Sequence, residues 1–351
     1  MHISSHRARA VLVVAAGAVA ALALTACGSS GAPVSSSAPV AAPSTSGTRT
    51  TYPLTITQCG RTLTFDKAPT RVVVDGERYA APLFEIGAGD RVTALFTRAS
   101  GALTPDSAVP SDVAARLHAL PLLVGTADSS YPSKEAFLAA APDLVIEAYD
   151  GDAGNGDPRG TDALVAMGIN VFTLSPSCSG ASLEQSMTDT VVLGRILDVE
   201  DRATALVRSW QERITAAGAQ AAAAGPGSPS VFFLDSISEK GEIWSNTGAF
   251  ARQLVTAAGG RLVPAASDPA DIYTVSKEAV VTANPDLVLA YNSGGDADAP
   301  SKVVPLWPLV AGSPAERSRA FTVVPYPDGA GTVEFVERVA QAVAAFKSTR
   351  S

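Results

Sequence analysis

The sequence predicts an α/β protein with two Rossmann-like lobes, whose sheets are mostly parallel and which are joined by one long α-helix. Three observations lead to this prediction. A short motif recurs in the two halves of the chain, strand-like and helix-like segments alternate, and one long helical segment lies between the halves. Strands that alternate with helices form parallel sheets that are covered on both faces.

The repeated motif begins at Ser133 and again at Ser276. The segments Ser133–Val145 and Ser276–Val288 are identical at nine of thirteen aligned positions, with Ser-Lys-Glu-Ala at the start and Pro-Asp-Leu-Val at the end. The serine suits a helix N-cap, and the proline ends the short helix before a buried strand. The two copies are too far apart for a solenoid repeat, so they predict two similar lobes.

The remaining elements follow from the same alternation. Strand-like runs are 71–75, 91–96, 170–174, 230–235 and 321–324, and helix-like runs are 80–86, 161–167, 248–258 and 333–346. The segment 202–223 is typical of one long helix because its last part is rich in Ala. We therefore expect an N-terminal lobe over 52–198, a connecting helix over 199–225 and a C-terminal lobe over 226–351.

The N-terminus predicts an export signal with a lipid attachment site. A basic start without acidic residues precedes an apolar run over 10–24, which is shorter than a membrane-spanning helix requires. Leu24-Thr25-Ala26-Cys27 resembles a lipobox, in which Cys27 is acylated and becomes the first residue of the mature chain. The alternative is an ordinary cleaved signal in which Cys27 has no such role. We expect a lipoprotein signal peptide over 1–26 and a flexible, lipid-anchored linker over 27–51, which is nearly all Ser, Ala, Pro, Gly and Thr.

Cys59 and Cys178 are the two cysteines that remain after Cys27. An exported protein matures in an oxidising compartment, where two remaining cysteines usually pair. We predict a disulfide between them, and the alternative is two separate buried thiols. Cys59 lies in an apparent β-hairpin over 54–65 with Gly60 at its turn, and Cys178 lies in the loop after a strand.

Composition argues against several classes of function. The chain is acidic, with a formal net charge of −8 and no basic clusters, which argues against nucleic acid as a partner. His118 is the only histidine after the signal segment, and no G-x-S-x-G motif accompanies it, so a Ser-His-Asp hydrolase is not supported. Cys/His clusters are absent, and the Asp150–Asp157 loop lacks the EF-hand pattern. We expect no enzymatic activity, no resident cofactor and no bound metal.

Five segments and the second copy of the repeat carry a resemblance to a known family. The segments are 59–61, 69–73, 133–146, 164–171 and 257–260. In their order and spacing they resemble the substrate-binding proteins of ABC importers for iron–siderophores, haem and cobalamin, over nearly the whole chain from Leu54 onward. The resemblance implies two α/β lobes joined by a long helix, a ligand cleft between the lobes, and delivery of the ligand to a permease driven by an ATPase.

Residues near the carboxyl ends of the strands are candidates for ligand contact, because ligands of open α/β sheets bind there. Aromatic rings pack against a large ligand at low entropic cost, and an arginine pairs with its anionic groups. The alternative for each ring is ordinary packing. The predicted contact residues, placed in loops around the cleft, are Arg78, Tyr79, Tyr131, Tyr149, Trp244, Tyr273, Tyr291 and Asn292.

Glu135 and Glu278 occupy the same position in the two copies of the repeat, two residues after the predicted N-caps. A carboxylate there interacts favourably with the helix dipole, although a capping box would need it one position later. The family resemblance implies another role, in which one acid on each lobe meets an arginine of the permease dimer. We predict that both side chains are exposed, on the same side of the molecule.

The predicted ligand is a ferric siderophore or a cobalamin-like molecule. Haem is disfavoured because His118 is the sole remaining histidine, although a tyrosine can ligate iron. We expect a monomer anchored to the outer face of the cytoplasmic membrane through a lipidated Cys27. Two other classes stay open. One is an exported enzyme on the same bilobal fold, which would need Cys or His ligands that the chain lacks. The other is a lipoprotein sensor that signals through a membrane partner instead of feeding an importer.

Overall fold

The computed structural model describes most of the chain from residue 49 onward. The described residues are 49–97, 103, 109–125, 131–149, 151, 157–178, 182–238, 240–246, 248–264, 272–291, 307–308, 310–318, 320–324 and 331–350. The predicted signal peptide, Cys27 and nearly all of the predicted linker lie outside them. Within these ranges, no helix is long and apolar enough to cross a membrane.

A β-hairpin precedes the first lobe. Strand β1 (Leu54–Gln58) pairs antiparallel with β2 (Arg61–Phe65). Cys59 and Gly60 form the turn, and both have positive φ, of 46° and 79°, as a two-residue type I′ turn requires. The hairpin predicted over 54–65 is therefore confirmed.

The first lobe is built on a five-stranded sheet that is parallel throughout. Its strands are β3 (Val72–Asp75), β4 (Val92–Thr97), β5 (Leu122–Val124), β6 (Leu144–Glu147) and β7 (Asn170–Thr173), in the spatial order β5–β4–β3–β6–β7. Its helices are α1 (Gly76–Glu85), α2 (Ser111–His118), α3 (Lys134–Ala140) and α4 (Pro158–Ala166). The central strands are buried and almost wholly apolar because helices cover both faces of the sheet.

The second lobe has a mixed sheet. Its strands are β8 (Ser230–Ile237), β9 (Ile243–Asn246), β10 (Arg261–Val263), β11 (Ile272–Val275), β12 (Leu287–Tyr291) and β13 (Phe321–Val324). The order is β11–β9–β8–β12–β13, and β10 also pairs with β8. Pairing is parallel except at β9, which is antiparallel to both β8 and β11. The helices are α7 (Ala249–Ala257), α8 (Lys277–Ala283), α9 (Pro314–Ser318) and α10 (Gly331–Ser348). Helices α5 and α6 precede them in the chain and lie between the lobes.

Two helices lie between the lobes, α5 (Leu183–Ile196) and α6 (Glu200–Ala223). The 24 residues of α6 span about 36 Å, and the helix begins two residues before its predicted start. Its Ala203 belongs to the hydrophobic core of the first lobe, whereas its buried residues from Val207 onward belong to the core of the second lobe. One helix thus contributes to both cores, and the predicted fold class of two α/β lobes joined by a long helix is confirmed.

Both copies of the repeat form a capped helix, a turn and a strand, as predicted. The Ser133 hydroxyl accepts a hydrogen bond from the Ala136 N–H at 3.3 Å, and the Ser276 hydroxyl accepts one from the Ala279 N–H at 3.1 Å. The helices α3 and α8 both end on a residue in the left-handed region, Ala141 in the first copy and its counterpart in the second. The buried strands β6 and β12 follow.

The repeated aspartate has a structural role that the sequence analysis did not identify. The Asp143 carboxylate accepts hydrogen bonds from the backbone N–H groups of Thr70 and Arg71, both at 2.8 Å. The Asp286 carboxylate accepts from the N–H of Ser230 at 2.8 Å and from its hydroxyl at 2.9 Å. Each aspartate therefore ties the turn after a short helix to the start of a neighbouring central strand, β3 or β8.

Candidate functional site

A pocket lies between the two lobes, beyond the carboxyl ends of the first-lobe strands. We call it the interlobe pocket. Side chains of α1, α5 and α6 form its walls together with the residues that follow β6 and β7, and Thr332 at the start of α10 closes it from the second lobe. Its lining is mostly apolar and consists of Tyr79, Pro82, Leu83, Ala148, Leu174, Pro176, Ser186, Met187, Asp189, Thr190, Leu193, Trp210 and Thr332. This is the position at which open α/β sheets bind ligands.

Tyr79 is the predicted contact residue that lines the interlobe pocket. The predicted placement of Arg78 and Tyr79 in a loop, with a helix from residue 80, is wrong. Helix α1 begins at Gly76, directly after β3. Gly76 has a φ of 72°, which a residue without a Cβ adopts readily, so the chain turns from strand to helix without a loop. Both side chains are half-buried in the first turns of that helix.

The other predicted contact residues are not part of the pocket lining in the described part of the chain. Tyr131 immediately precedes the first repeat helix, and Tyr149 follows β6. Both side chains are half-buried, and neither belongs to the lining of the interlobe pocket. The backbone of Tyr291 ends β12, as predicted. Asn292 and Asp150 lie outside the described residues.

Trp244 and Tyr273 lie in strands, which corrects their predicted placement in loops. Trp244 is in β9 and pairs with Thr274 of β11, and Tyr273 pairs with Ser245. The reason is a tight turn that the sequence analysis overlooked. The Gly241 N–H donates to the Ser238 carbonyl and the Ser238 N–H donates to that of Glu242, so the chain leaving β8 returns antiparallel as β9.

Asp189 is a pocket residue that the sequence analysis missed. It lies in α5 and is only 4% exposed. One carboxylate oxygen, Oδ1, accepts hydrogen bonds from the Ser175 hydroxyl at 2.6 Å and from the Gln58 amide at 3.0 Å, and Oδ2 accepts from the Ser175 N–H at 2.6 Å. Burial raises the pKa of this carboxyl to about 6, against the opposing effect of the hydrogen bonds from Ser175 and Gln58. An acid within an apolar helical segment was the signal that could have identified it.

The predicted disulfide between Cys59 and Cys178 is present, with a Cα–Cα distance of 5.5 Å. Gln58, next to Cys59, also donates to the carbonyl of Thr173 at the end of β7 at 2.8 Å. The disulfide and the Gln58–Ser175–Asp189 hydrogen bonds together form what we call the hairpin clamp. The clamp ties the β1–β2 hairpin to the chain that follows β7, where two residues line the interlobe pocket.

His118 is engaged in the first lobe and does not line the interlobe pocket. Its Nε2 lies 2.6 Å from Oε2 of Glu77, a side chain of α1 that is only 4% exposed. In the described part of the chain, no group of three or more His, Cys, Asp or Glu side chains is arranged to hold a metal ion.

Glu135 and Glu278 are both exposed. The pKa of each carboxyl is lowered, first by a hydrogen bond from its own backbone N–H and then by one from the hydroxyl of Ser133 or Ser276. Each carboxylate therefore takes part in local capping even though it lies one position before the usual capping-box site. Their exposure, and their equal environments, leave both carboxylates accessible to a partner.

A comparison with family models decides the class of this protein. The model described as "Periplasmic binding protein" matches residues 72–325, a range that includes strands of both sheets and the connecting helices. The chain belongs to the periplasmic binding protein family. Members of this extracytoplasmic family bind solutes and are not enzymes, so the family resemblance and the prediction of no enzymatic activity are both confirmed.

Solved structures of other periplasmic binding proteins have the same fold. A structure of an ABC-type Fe3+-hydroxamate transport system from Saccharomonospora viridis is 26% identical, covers 83% of this chain and 99% of its own, and has a TM-score of 0.68. A periplasmic binding protein from Veillonella parvula is 20% identical over 85% of this chain and 99% of its own, with a TM-score of 0.69. The heme-binding protein RhuT from Roseiflexus sp. RS-1 is 22% identical over 79% of this chain and 98% of its own, with a TM-score of 0.61. A search of the curated proteins finds no match.

Proposed function

We propose that this periplasmic binding protein captures a ferric siderophore and delivers it to an ABC importer. The observation that carries the proposal is the interlobe pocket, which lies beyond the strand ends of the first lobe and has an apolar lining with Tyr79 and Trp210. Its free volume is only about 30 Å³, so a bulky organic ligand requires the two lobes to move apart. The 26% identity with a structure from an Fe3+-hydroxamate transport system supports a hydroxamate siderophore as the first ligand to test. A corrinoid is the second.

The surroundings of His118 support a siderophore over haem. A haem iron needs an axial ligand such as histidine, cysteine, methionine or tyrosine. His118, the only histidine after the signal segment, contacts the buried Glu77 and is not part of the pocket lining. Tyr79 and Met187 are the remaining candidates for an axial ligand in that lining, so haem belongs in the ligand panel as the competing outcome.

The ligand is tested by titrating the purified mature chain with ferric ferrioxamine, a ferric catecholate, cobinamide and haem while tryptophan fluorescence is recorded. Trp210 lines the pocket, so a bound ligand should quench it. We expect a dissociation constant in the micromolar range or tighter for ferric ferrioxamine, about −8 kcal/mol or more favourable. Tyr79→Ala should weaken binding about tenfold or more, since it removes an aromatic wall of the pocket.

Trp307 provides the matched control. Its ring packs edge-on against Phe321 at a centroid distance of 6.1 Å, in the second lobe and outside the interlobe pocket. Trp307→Phe should leave the quenching amplitude nearly unchanged, whereas Trp210→Phe should remove most of it. Flat titrations across the whole panel with folded protein would contradict the proposal, and tightest binding of haem would replace the siderophore with haem.

Delivery to an importer rests on Glu135 and Glu278. Their equivalent positions, exposure and lowered pKa values support a pair of charged carboxylates that meet an arginine on each half of a permease dimer. Glu135→Gln combined with Glu278→Gln should leave ferrioxamine affinity unchanged and reduce iron uptake by cells. Normal uptake by the double variant would favour the sensor alternative or a different docking surface.

We further propose that the protein acts as a monomer held at the outer face of the cytoplasmic membrane by a lipidated Cys27. The lipobox-like motif and the Ser/Ala/Pro-rich segment after it support an anchor followed by a linker. The division into signal peptide, linker, two lobes and connecting helix at 26, 51, 198 and 225 belongs to the same proposal. Cys27→Ala should release the protein from the membrane fraction, which immunoblotting of separated fractions measures.

A further inference from the structure

The two repeat helices share an exposed apolar residue as well as an exposed acid. In the described part of the chain, five large apolar side chains are exposed, and Leu138 and Val281 are two of them, at 44% and 55%. These two residues occupy the same position in the two copies of the repeat. The residue before each of them is fully buried in the core of its own lobe. The exposed apolar residue is therefore repeated in both lobes, next to a residue that packs normally in the core.

Each apolar residue lies beside a docking glutamate. Leu138 follows Glu135 by three positions and Val281 follows Glu278 by three, a spacing that puts both side chains on one face of a helix. Each lobe thus presents a carboxylate next to an apolar side chain. We call these two surfaces the paired patches.

We propose that Leu138 and Val281 are docking residues that pack into apolar surface of the permease dimer beside the cations that receive Glu135 and Glu278. This inference rests on the proposed function and specifies the chemistry of its partner. An exposed ion pair alone is screened by water and contributes little to binding. An apolar contact next to it excludes water and strengthens the pair, as at the centre of most protein interfaces.

The charge and symmetry of the paired patches favour this occupant over others. A partner with two equivalent surfaces fits two equivalent patches, and a permease dimer has that symmetry. Each glutamate directly follows a lysine, Lys134 or Lys277, so these two residues add no net charge to either patch. A patch without net positive charge offers little attraction to an anionic lipid surface, and a second copy of this chain is the competing partner that the crosslinking test below separates. Each half of the partner must therefore carry a cationic side chain beside an apolar one.

The first test measures iron uptake and ligand affinity in the same variants. Leu138→Ser combined with Val281→Ser should lower uptake of radiolabelled ferric ferrioxamine about tenfold in cells that lack the native copy, because two apolar contacts are lost. The affinity of the purified variant for ferric ferrioxamine should not change. Met167→Ser is the matched control, since Met167 is 59% exposed but lies outside the repeat, and it should leave uptake unchanged. Leu138→Met combined with Val281→Met should retain uptake.

The second test needs no ligand. A photoreactive benzophenone side chain is introduced at position 138, 281 or 167, and crosslinked partners are identified by mass spectrometry of the full-length protein in intact cells. Crosslinks from 138 and 281, but not from 167, to an integral-membrane permease would support the proposal. Crosslinks to a second copy of this chain, or an equal yield from 167, would overturn it.

The two tests separate this inference from the proposed function. If the Glu135→Gln, Glu278→Gln variant loses uptake while the Leu138→Ser, Val281→Ser variant keeps it, docking through the acids stands and the apolar contact is wrong. If both variants transport normally and no permease is crosslinked, docking through the repeat is wrong as a whole. If ferric ferrioxamine does not bind but the permease is crosslinked from both positions, the ligand assignment fails and the paired patches stand.

Discussion

The first and second lobes contain the same thirteen-residue repeat, yet they differ at the carboxyl ends of their strands. In the first lobe, the hairpin clamp holds the chain that follows β7 through a disulfide and Asp189. In the second lobe, β8 runs on into a tight turn and an antiparallel partner, β9. The repeated positions have the same task in both lobes, namely helix capping, bracing of a central strand and exposure of an acid.

Loss of the disulfide should have the largest effect, and the effect should be confined to one lobe. Cys59→Ser combined with Cys178→Ser removes a crosslink between residues 119 positions apart, which should lower the free energy of unfolding by about 4 kcal/mol. Hydrogen exchange should accelerate in β1, β2 and β7 and remain slow in β8 and β12. Equal acceleration in both lobes would show that the clamp stabilises the whole molecule and not the first lobe.

Asp189 should make the stability of the clamp depend on pH. Its carboxyl has a pKa of about 6 in the folded chain against 3.8 without burial, so the folded state holds a proton that the unfolded state releases. The stabilising contribution is complete below pH 3.8 and is lost as the pH rises through about 6. The loss between pH 4 and pH 7 should be roughly 2 to 3 kcal/mol. Urea denaturation of the wild type and of Asp189→Asn at several pH values measures it, and two parallel pH profiles would contradict the assignment.

The repeated aspartates should stabilise both lobes, the first more than the second. Asp143→Ala and Asp286→Ala each leave a backbone N–H at the start of a central strand without its acceptor, which should cost about 2 kcal/mol. Asp143 accepts from two backbone N–H groups and a hydroxyl, whereas Asp286 accepts from one N–H and a hydroxyl. The first-lobe variant should therefore be the less stable of the two in chemical denaturation. The reverse order would mean that contacts outside the repeat dominate.

The N-cap serines should give the smallest and most equal effects. Ser133→Ala and Ser276→Ala each remove one capping acceptor, which should cost about 1 kcal/mol in either lobe. Each change also removes the hydroxyl donor of the nearby glutamate, so the pKa of Glu135 or Glu278 should rise towards its usual value. Ser→Thr at both positions keeps the acceptor and is the control. Thermal unfolding and NMR titration of the glutamates provide the two measurements.

Local sequence patterns were sufficient to predict the elements that depend on neighbouring residues. The repeat predicted two capped helices followed by buried strands, and the type of residue at Ser133 and Ser276 was enough because an N-cap acts over three positions. The hairpin over 54–65 and the helix α6 were also predicted, because each depends on residues that are close together in the sequence. The alternation of strands and helices was enough to predict the α/β class, because helices between parallel strands cover the faces of the sheet. The short strand β9 was missed because its turn residues lie in a polar segment that resembles a loop.

The sequence by itself determined the fold class, the disulfide partners and the equivalence of the two acids. The tertiary structure alone decided which residues line the interlobe pocket, because Tyr79, Asp189, Trp210 and Thr332 come from four helices that are distant in the chain. It also decided that Arg78 and Tyr79 start a helix and that Trp244 belongs to a sheet. Hydrogen-bond caps and turns are fixed by a few adjacent residues, but a pocket wall is fixed by how whole helices and sheets pack against one another, and no short segment contains that packing.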